Sequence, residues 1–468
     1  MSGKREMHPR TNTPRRFVVM AAFLTLAATA MGQSAAHRFT ATGPLDDPDA
    51  LPGQIIVAGS NPGYLKYNGG GPAFLAGPDN PEDFFFRGKL NPDGTRSGDQ
   101  DEILRFLADA RPSAFHVQMF RMRRCNIKDE GDDTHNPFID HDPSKGLNKA
   151  VLDQWDHWLG ELEKIGVVVH LEFYNDFTDV EMMGWKLDEK GNLHPDEHRF
   201  ITGIVKRFQH RKNIVWGIEE SSNKLPPERV RHFKKIAEVI AETDRHNHPI
   251  VQSFVVPNDP DYDFPEGGVL SDPYRGDPHI RVVTWLHLIP HGDDLKMQYH
   301  EYSYWARRDS PYFIVMKNET FFRPYLRTAP LGRRYTWTAA MAGLHCLEAQ
   351  HNAARWREFG DRIREDGYLA RFMEQTDFYR MKPRADLAAG STRWVLANPG
   401  RSYIAYTYDY SGPMGIKGLP GGRYDLLWVD TVNGRMERRE NVDLPPGEPS
   451  LAKPDGFSDE VAVYLKRR

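Results

Sequence analysis

The strongest constraint on this chain is an alternation that runs through its centre. Short, almost continuously apolar stretches at 72–76, 114–120, 167–176, 213–218, 249–255, 280–286, 312–316 and 346–349 are separated by segments with helical periodicity. The clearest helical segment is 147–165. Leu147, Val151, Trp155, Trp158, Leu159 and Leu162 recur there at three- and four-residue spacing, and Gly166 follows as a stop. Further helices are expected at 99–110, 199–210, 227–243 and 335–344. Strands apolar throughout belong to a sheet covered on both faces, and covered parallel sheets are built from βα units. Eight such units predict the α/β class and, within it, a (β/α)8 TIM barrel.

The texture changes near residue 386. Short β runs at 392–397, 403–408, 424–429 and 460–466, separated by Gly/Pro turns, predict a small antiparallel β-sandwich. The expected organisation is a signal peptide over 1–36, a β-rich lead-in over 37–71, a barrel over 72–385 and a sandwich over 386–468. The first segment carries Lys4, Arg5, Arg10, Arg15 and Arg16 ahead of the apolar run 17–31. That run is shorter than the ~20 residues a bilayer span needs, so export to a secreted or periplasmic location is expected, with no membrane span afterwards. Removing residues 1–36 takes five Lys/Arg and one Asp/Glu from totals of 61 and 65, leaving a net charge of −8. Such a surface excludes nucleic acid as the partner, because phosphate binding needs a basic face. Cys125 and Cys346 have no CxxC partners, which removes zinc-finger and thioredoxin readings; whether the two pair is left open.

In a barrel, reacting groups come from the C-terminal ends of strands, and this filter discards most of the 65 acidic residues. It retains Glu219 and Glu220 after the fourth strand, Glu319 after the seventh, Asp176 after the third and Glu348 near the eighth. Two carboxyl groups facing each other across such a rim are what glycosidic-bond cleavage requires: one protonates the departing oxygen and the other faces the anomeric carbon.

The residues themselves carry a resemblance. The run Asn213-Ile214-Val215-Trp216-Gly217-Ile218-Glu219-Glu220 resembles the fourth-strand motif of clan A glycoside hydrolases, and Ile314-Val315-Met316-Lys317-Asn318-Glu319 resembles their seventh-strand motif. Tyr64 to Asn68, Pro72 to Gly77, and Arg333 through Trp337 to Gly343 are similar to bacterial members whose C-terminal β domain bears a collagen-binding label. The resemblance implies a retaining glycoside hydrolase with Glu319 as nucleophile and Glu220 as acid/base. It implies a poly- or oligosaccharide substrate and no cofactor. It departs from the family at Glu219, where the pattern has Asn, and it lacks the usual Trp after the eighth strand. Glu219 therefore reads as a substitute substrate contact, as a neighbour that tunes Glu220, or as a sign that the register is off by one.

Arg121, beyond the second strand, is a candidate partner for the nucleophile, and Asn175, Asp176 and His287 are candidate sugar contacts. Trp285 is a candidate stacking platform, as are Trp185 and Tyr174. The cluster His135, Asp140, His141 and Asp142 lacks ligand spacing for a metal, so no metal is expected. Two rivals stay open: a non-catalytic carbohydrate-binding protein on the same barrel, and a hydrolase whose acid is Glu219 or Asp176.

Overall fold

A computed structural model describes residues 38–59, 64–79, 84–87, 91–93, 98–119, 137–176, 180–181, 183–221, 226–255, 274, 276–286, 294–306, 314–318, 329–349 and 356–468. The chain opens with an antiparallel hairpin, β1 (Ile55–Ala58) and β2 (Tyr64–Tyr67). Eight parallel strands follow: β3 (Ala76–Asp79), β4 (Ala114–Gln118), β5 (Val168–Asp176), β6 (Ile214–Ser221), β7 (Ile250–Val255), β8 (Ile280–Leu286), β9 (Ile314–Asn318) and β10 (His345–Ala349). The helices among the described residues are α1 (Gln100–Ala110), α2 (Lys149–Lys164), α3 (Pro195–Phe208), α4 (Pro227–Thr243), α5 (Leu295–Ala306), α6 (Ala329–Met341) and α7 (Gly360–Met373).

The sheet runs in the order β3-β10-β9-β8-β7-β6-β5-β4, and its two ends come together. The amide of Ser113 donates to the Ala76 carbonyl at 2.8 Å, and the Ala76 amide donates to Ser113 Oγ at 2.8 Å. Gly77 makes this approach possible, since a Cβ there would lie 1.9 Å from the Ala114 carbonyl oxygen. His345 on β10 adds a further tie, its Nδ1 accepting from the Leu75 amide at 3.0 Å. Burial alone pushes that imidazole down to about 3, so it stays neutral and available as an acceptor. The molecule is the expected TIM barrel.

Sequence signals explain most element boundaries. Helix α2 starts where Asn148 accepts from the amides of Ala150 and Val151, and it buries Val151, Leu152, Trp155, Trp158, Leu159 and Leu162. Helix α3 begins four residues before the expected start. His194 Nδ1 accepts from the Asp196 amide at 3.2 Å, and Pro195 occupies the first turn, where its missing N–H costs nothing. The first barrel strand is shifted from 72–76 to Ala76–Asp79, because Pro72 and Ala73 still pair with the hairpin through Lys66 and Leu65.

Beyond the barrel, β11 (Lys382–Pro383), β13 (Trp394–Asn398), β14 (Ser402–Thr407), β16 (Gly422–Asp430), β17 (Met436–Leu444) and β18 (Val461–Arg467) form an antiparallel sheet. The strands β12 (Ala388–Gly390) and β15 (Met414–Ile416) pair separately. One face of the larger sheet is buried with its own apolar cluster around Val395, Trp428 and Val463, and the other packs on barrel helices. Tyr299 stacks on Trp394 at 4.0 Å and Trp337 on Tyr406 at 5.1 Å. Glu460 receives Arg333 Nε at 2.7 Å and Arg334 Nε at 2.8 Å, while Arg333 also pairs with Glu365. A buried charge group bonded on several sides ties the sheet to α6, the helix that follows β9.

Candidate active site

The barrel interior is layered. Its lower layer is apolar: Ala114, Val168, Val215, Val251, Val282 and Leu347 pack together and against Ile55 and Leu65 of the hairpin, which plugs that end. Two residues further along four of those strands the lining becomes polar, with His116, His170, Ser253 and Thr284 all buried. Strand periodicity makes this a true layer, because residues i and i+2 share a face. Ser253 and Thr284 hydrogen-bond to each other, and His116 and His170, register partners on β4 and β5, stack with ring centroids 4.5 Å apart.

One step higher, Gln118 and Glu172 are register partners as well. Glu172 Oε2 lies 2.8 Å from His116 Nε2 and accepts from Gln118 Nε2 at 3.2 Å. Burial first, and the neighbouring His116 second, hold His170 well below the ordinary imidazole range, so it is neutral. None of these residues was singled out as functional from the sequence. The available signal was the repeated pattern His-x-Gln on β4 and His-x-Glu on β5, which sets four polar side chains at matching heights on adjacent strands.

Of the predicted site residues, those with described backbone lie near the ends of their strands. Glu219 and Glu220 are the sixth and seventh residues of β6, the fourth barrel strand. Glu219 is fully buried and accepts from Gln252 Nε2 on β7 at 3.3 Å. The backbone of β6 pairs with the end of β5, Asp176 lying opposite Ser221, so Asn175 and Asp176 end the strand beside the two glutamates. Trp285 on β8 is opposite Phe254 on β7 and Lys317 on β9. The described part of β9, the seventh barrel strand, ends at Asn318, and Glu319 lies outside the described residues, as do Arg121 and His287. The side chains of Glu220, Asn175, Asp176, Trp285 and Glu348 also lie outside them.

Two of the three aromatic candidates are not rim platforms. Trp185 is buried against Phe138 and Phe200. Tyr174 packs on Phe200, and its hydroxyl donates to Glu197 at 3.1 Å, an oxygen that also meets His232 at 2.8 Å. Both serve the helix layer, because a large ring gains more from burial there than from exposure at the rim. In the rejected metal cluster, Asp140 pairs with Lys145 at 3.0 Å and Asp142 caps the Ser144 amide at 2.9 Å, so these carboxylates shape a turn; His135 lies outside the described residues. Cys346 is buried, with its thiol donating to the Thr336 carbonyl at 3.5 Å, and Cys125 lies outside the described residues. No helix among the described residues is long and apolar enough to cross a membrane.

No family model and no curated protein matches the chain. Solved structures do. A glycoside hydrolase family 5 structure from Bacteroides vulgatus is similar with a TM-score of 0.63 at 15% identity, over 89% of this chain and 94% of that one. A second structure, described as a glycoside hydrolase, is similar with a TM-score of 0.61 at 14% identity, over 91% of this chain and 99% of that one. The likeness is one of fold, and it extends over nearly the full length of both neighbours.

Proposed function

We propose that the protein is an exported, retaining glycoside hydrolase acting on a poly- or oligosaccharide. The observation that carries the reading is positional. Glu219 and Glu220 lie next to the end of the fourth barrel strand, and Glu319 is the residue after Asn318, where the described part of the seventh strand ends. Glycoside hydrolases of similar fold support the reaction class, and the active sites of this fold lie at the strand ends.

In the proposed cycle the Glu319 carboxylate attacks the anomeric carbon while Glu220 protonates the departing glycosidic oxygen. Glu220 then takes a proton from water, which attacks the anomeric carbon and frees Glu319. This double displacement asks for carboxyl groups about 5–5.5 Å apart. Arg121 would keep the nucleophile ionised by its positive charge. Asn175, Asp176, Trp285 and His287 would contact the sugar. Glu219, enclosed and bonded to Gln252, is suited to holding the end of β6 and tuning Glu220.

The test is a panel of polysaccharides and aryl glycosides with product analysis, followed by proton NMR of the first-formed anomer on the best substrate. Turnover with net retention is expected. Net inversion would overturn the double displacement. Saturable sugar binding without any turnover would replace the enzyme with a carbohydrate-binding protein on the same barrel.

A further inference from the structure

The buried polar group on β4 and β5 has chemistry that the proposed sugar cleavage does not use. Two imidazoles and a carboxylate stand inside the barrel, each essentially unexposed. One donor atom from each of His116, His170 and Glu172 falls within a common 4.8 Å. The topology explains the convergence. His116 and His170 are direct register partners on adjacent parallel strands, so their side chains leave the sheet on the same side; Glu172 follows two residues later on that same side.

Two further observations point to a cation. First, neither ring nitrogen of His170 has a hydrogen-bond partner, although the residue is 1% exposed. Buried polar atoms are paired in nearly all proteins, so a buried imidazole with both nitrogens unpaired is unusual. Second, room has been made for the ring. Position 217, opposite Glu172 on β6, is glycine, and a Cβ there would lie 2.3 Å from His170 Nε2. Gln118, bonded to Glu172 Oε2, supplies the kind of outer hydrogen bond that fixes a metal-ligating carboxylate.

We propose that His116, His170 and Glu172 form a binding site for one zinc-class divalent cation inside the barrel. Two imidazoles and a carboxylate suit zinc and its neighbours rather than calcium or magnesium, which prefer all-oxygen sets. Ligands of a tetrahedral zinc lie about 3.3 Å apart. The 2.8 Å between His116 and Glu172 is already that close, and a His170 nitrogen lies within 4.8 Å of both. The ion cross-braces β4 and β5 where the apolar lower layer gives way to the polar upper one. The proposal does not depend on the sugar-cleaving reading.

The test uses the full-length protein, purified without chelator, then stripped and titrated with Zn2+ and, separately, with Co2+. About one equivalent of zinc per chain is expected, with a rise in Tm on rebinding. The Co2+ form should show the intense visible bands of a low-symmetry, four- or five-coordinate site. His170→Ala should weaken zinc binding about tenfold or more. Less than a tenth of an equivalent of zinc, or a weak Co2+ spectrum of the hydrated ion, would overturn the proposal. So would full zinc binding in a folded His170→Ala protein. The cobalt spectrum needs only the wild-type chain, so the proposal stays falsifiable even where the variant fails to fold.

Discussion

The two ends of the barrel interior differ in kind. Below, Val168, Val215, Val251, Val282 and Leu347 make an apolar layer sealed by the hairpin. Above, His116, His170, Ser253, Thr284, Gln118 and Glu172 put polar groups on β4, β5, β7 and β8 at no exposure or almost none. Burying apolar surface stabilises the fold at about 25 cal/mol per Å2, whereas each buried polar group must find a partner merely to break even. The lower layer therefore holds the barrel shut, and the upper layer is retained for what it does. A fold optimised only for stability would carry valine on through both.

Four substitutions or conditions separate the two layers, beginning with the largest effect. At the rim above the polar layer, Glu220→Ala is expected to lower turnover of a substrate with a poor leaving group by about 10²–10⁴-fold while Tm moves little. Azide should restore part of the rate if Glu220 is the acid/base; rescue in Glu219→Ala instead would move the role by one residue. In the lower layer, Leu347→Ala is expected to cost about 2–5 kcal/mol in urea unfolding, with kcat per folded molecule unchanged. An equal loss of both quantities would erase the division between the layers.

The histidines give the third contrast. His345 has a folded value of about 3 against an ordinary 6.5, and His170 is depressed in the same direction. The unfolded chain therefore binds protons that the folded chain refuses. Their stabilising effect is intact above about pH 6.5 and is lost as pH falls, by about 1.4 kcal/mol per unit for each histidine. Urea midpoints measured from pH 7 to pH 4 should show this slope, and His345→Gln should reduce it by one proton. The smallest effect pairs two reciprocal changes. Replacing Ser253 and Thr284 together by Ala and Val removes both ends of one bond at a cost of about 1 kcal/mol or less, whereas Val282→Thr places an unpaired hydroxyl among hydrocarbon at a cost of about 1–3 kcal/mol. Equal costs in urea unfolding would mean that the layers are not chemically distinct.

How much of this was legible in the sequence follows the same physics. Apolar runs at strand spacing announced the barrel strands other than the first, because a covered parallel sheet permits little else. The first, Ala76–Asp79, falls mostly in what reads as a polar loop. Four strands of the small sheet were visible too, but the two-residue β11 and the longer β17 were not. The sequence of β17, Met-Glu-Arg-Arg-Glu-Asn-Val-Asp-Leu, is that of a charged edge strand, half exposed along its length, with no apolar alternation to betray it. Helices α5 and α7 were missed for related reasons. In α7, Gly360 and Gly367 interrupt the pattern, and buried Arg362, Glu365 and Asp366 stand where apolar residues would be expected. Those three side chains belong to the charge group around Arg333, so pairing across the sequence made them buried. The place of Glu219 and Glu220 near the end of β6 was legible from strand order. The His116–His170–Glu172 group was not, because it is a product of register between β4 and β5, and register is invisible until the two strands are laid side by side.

The proposed chemistry rests above all on Glu319, the residue after Asn318, where the described part of β9 ends. The most direct measurement is the rate of Glu319→Gln against wild type on whichever glycoside the panel identifies, with circular dichroism to confirm folding. The account predicts a folded protein with turnover reduced by about 10³-fold or more, a loss of roughly 4 kcal/mol of transition-state stabilisation. A folded Glu319→Gln protein that cleaves within tenfold of wild type would contradict it.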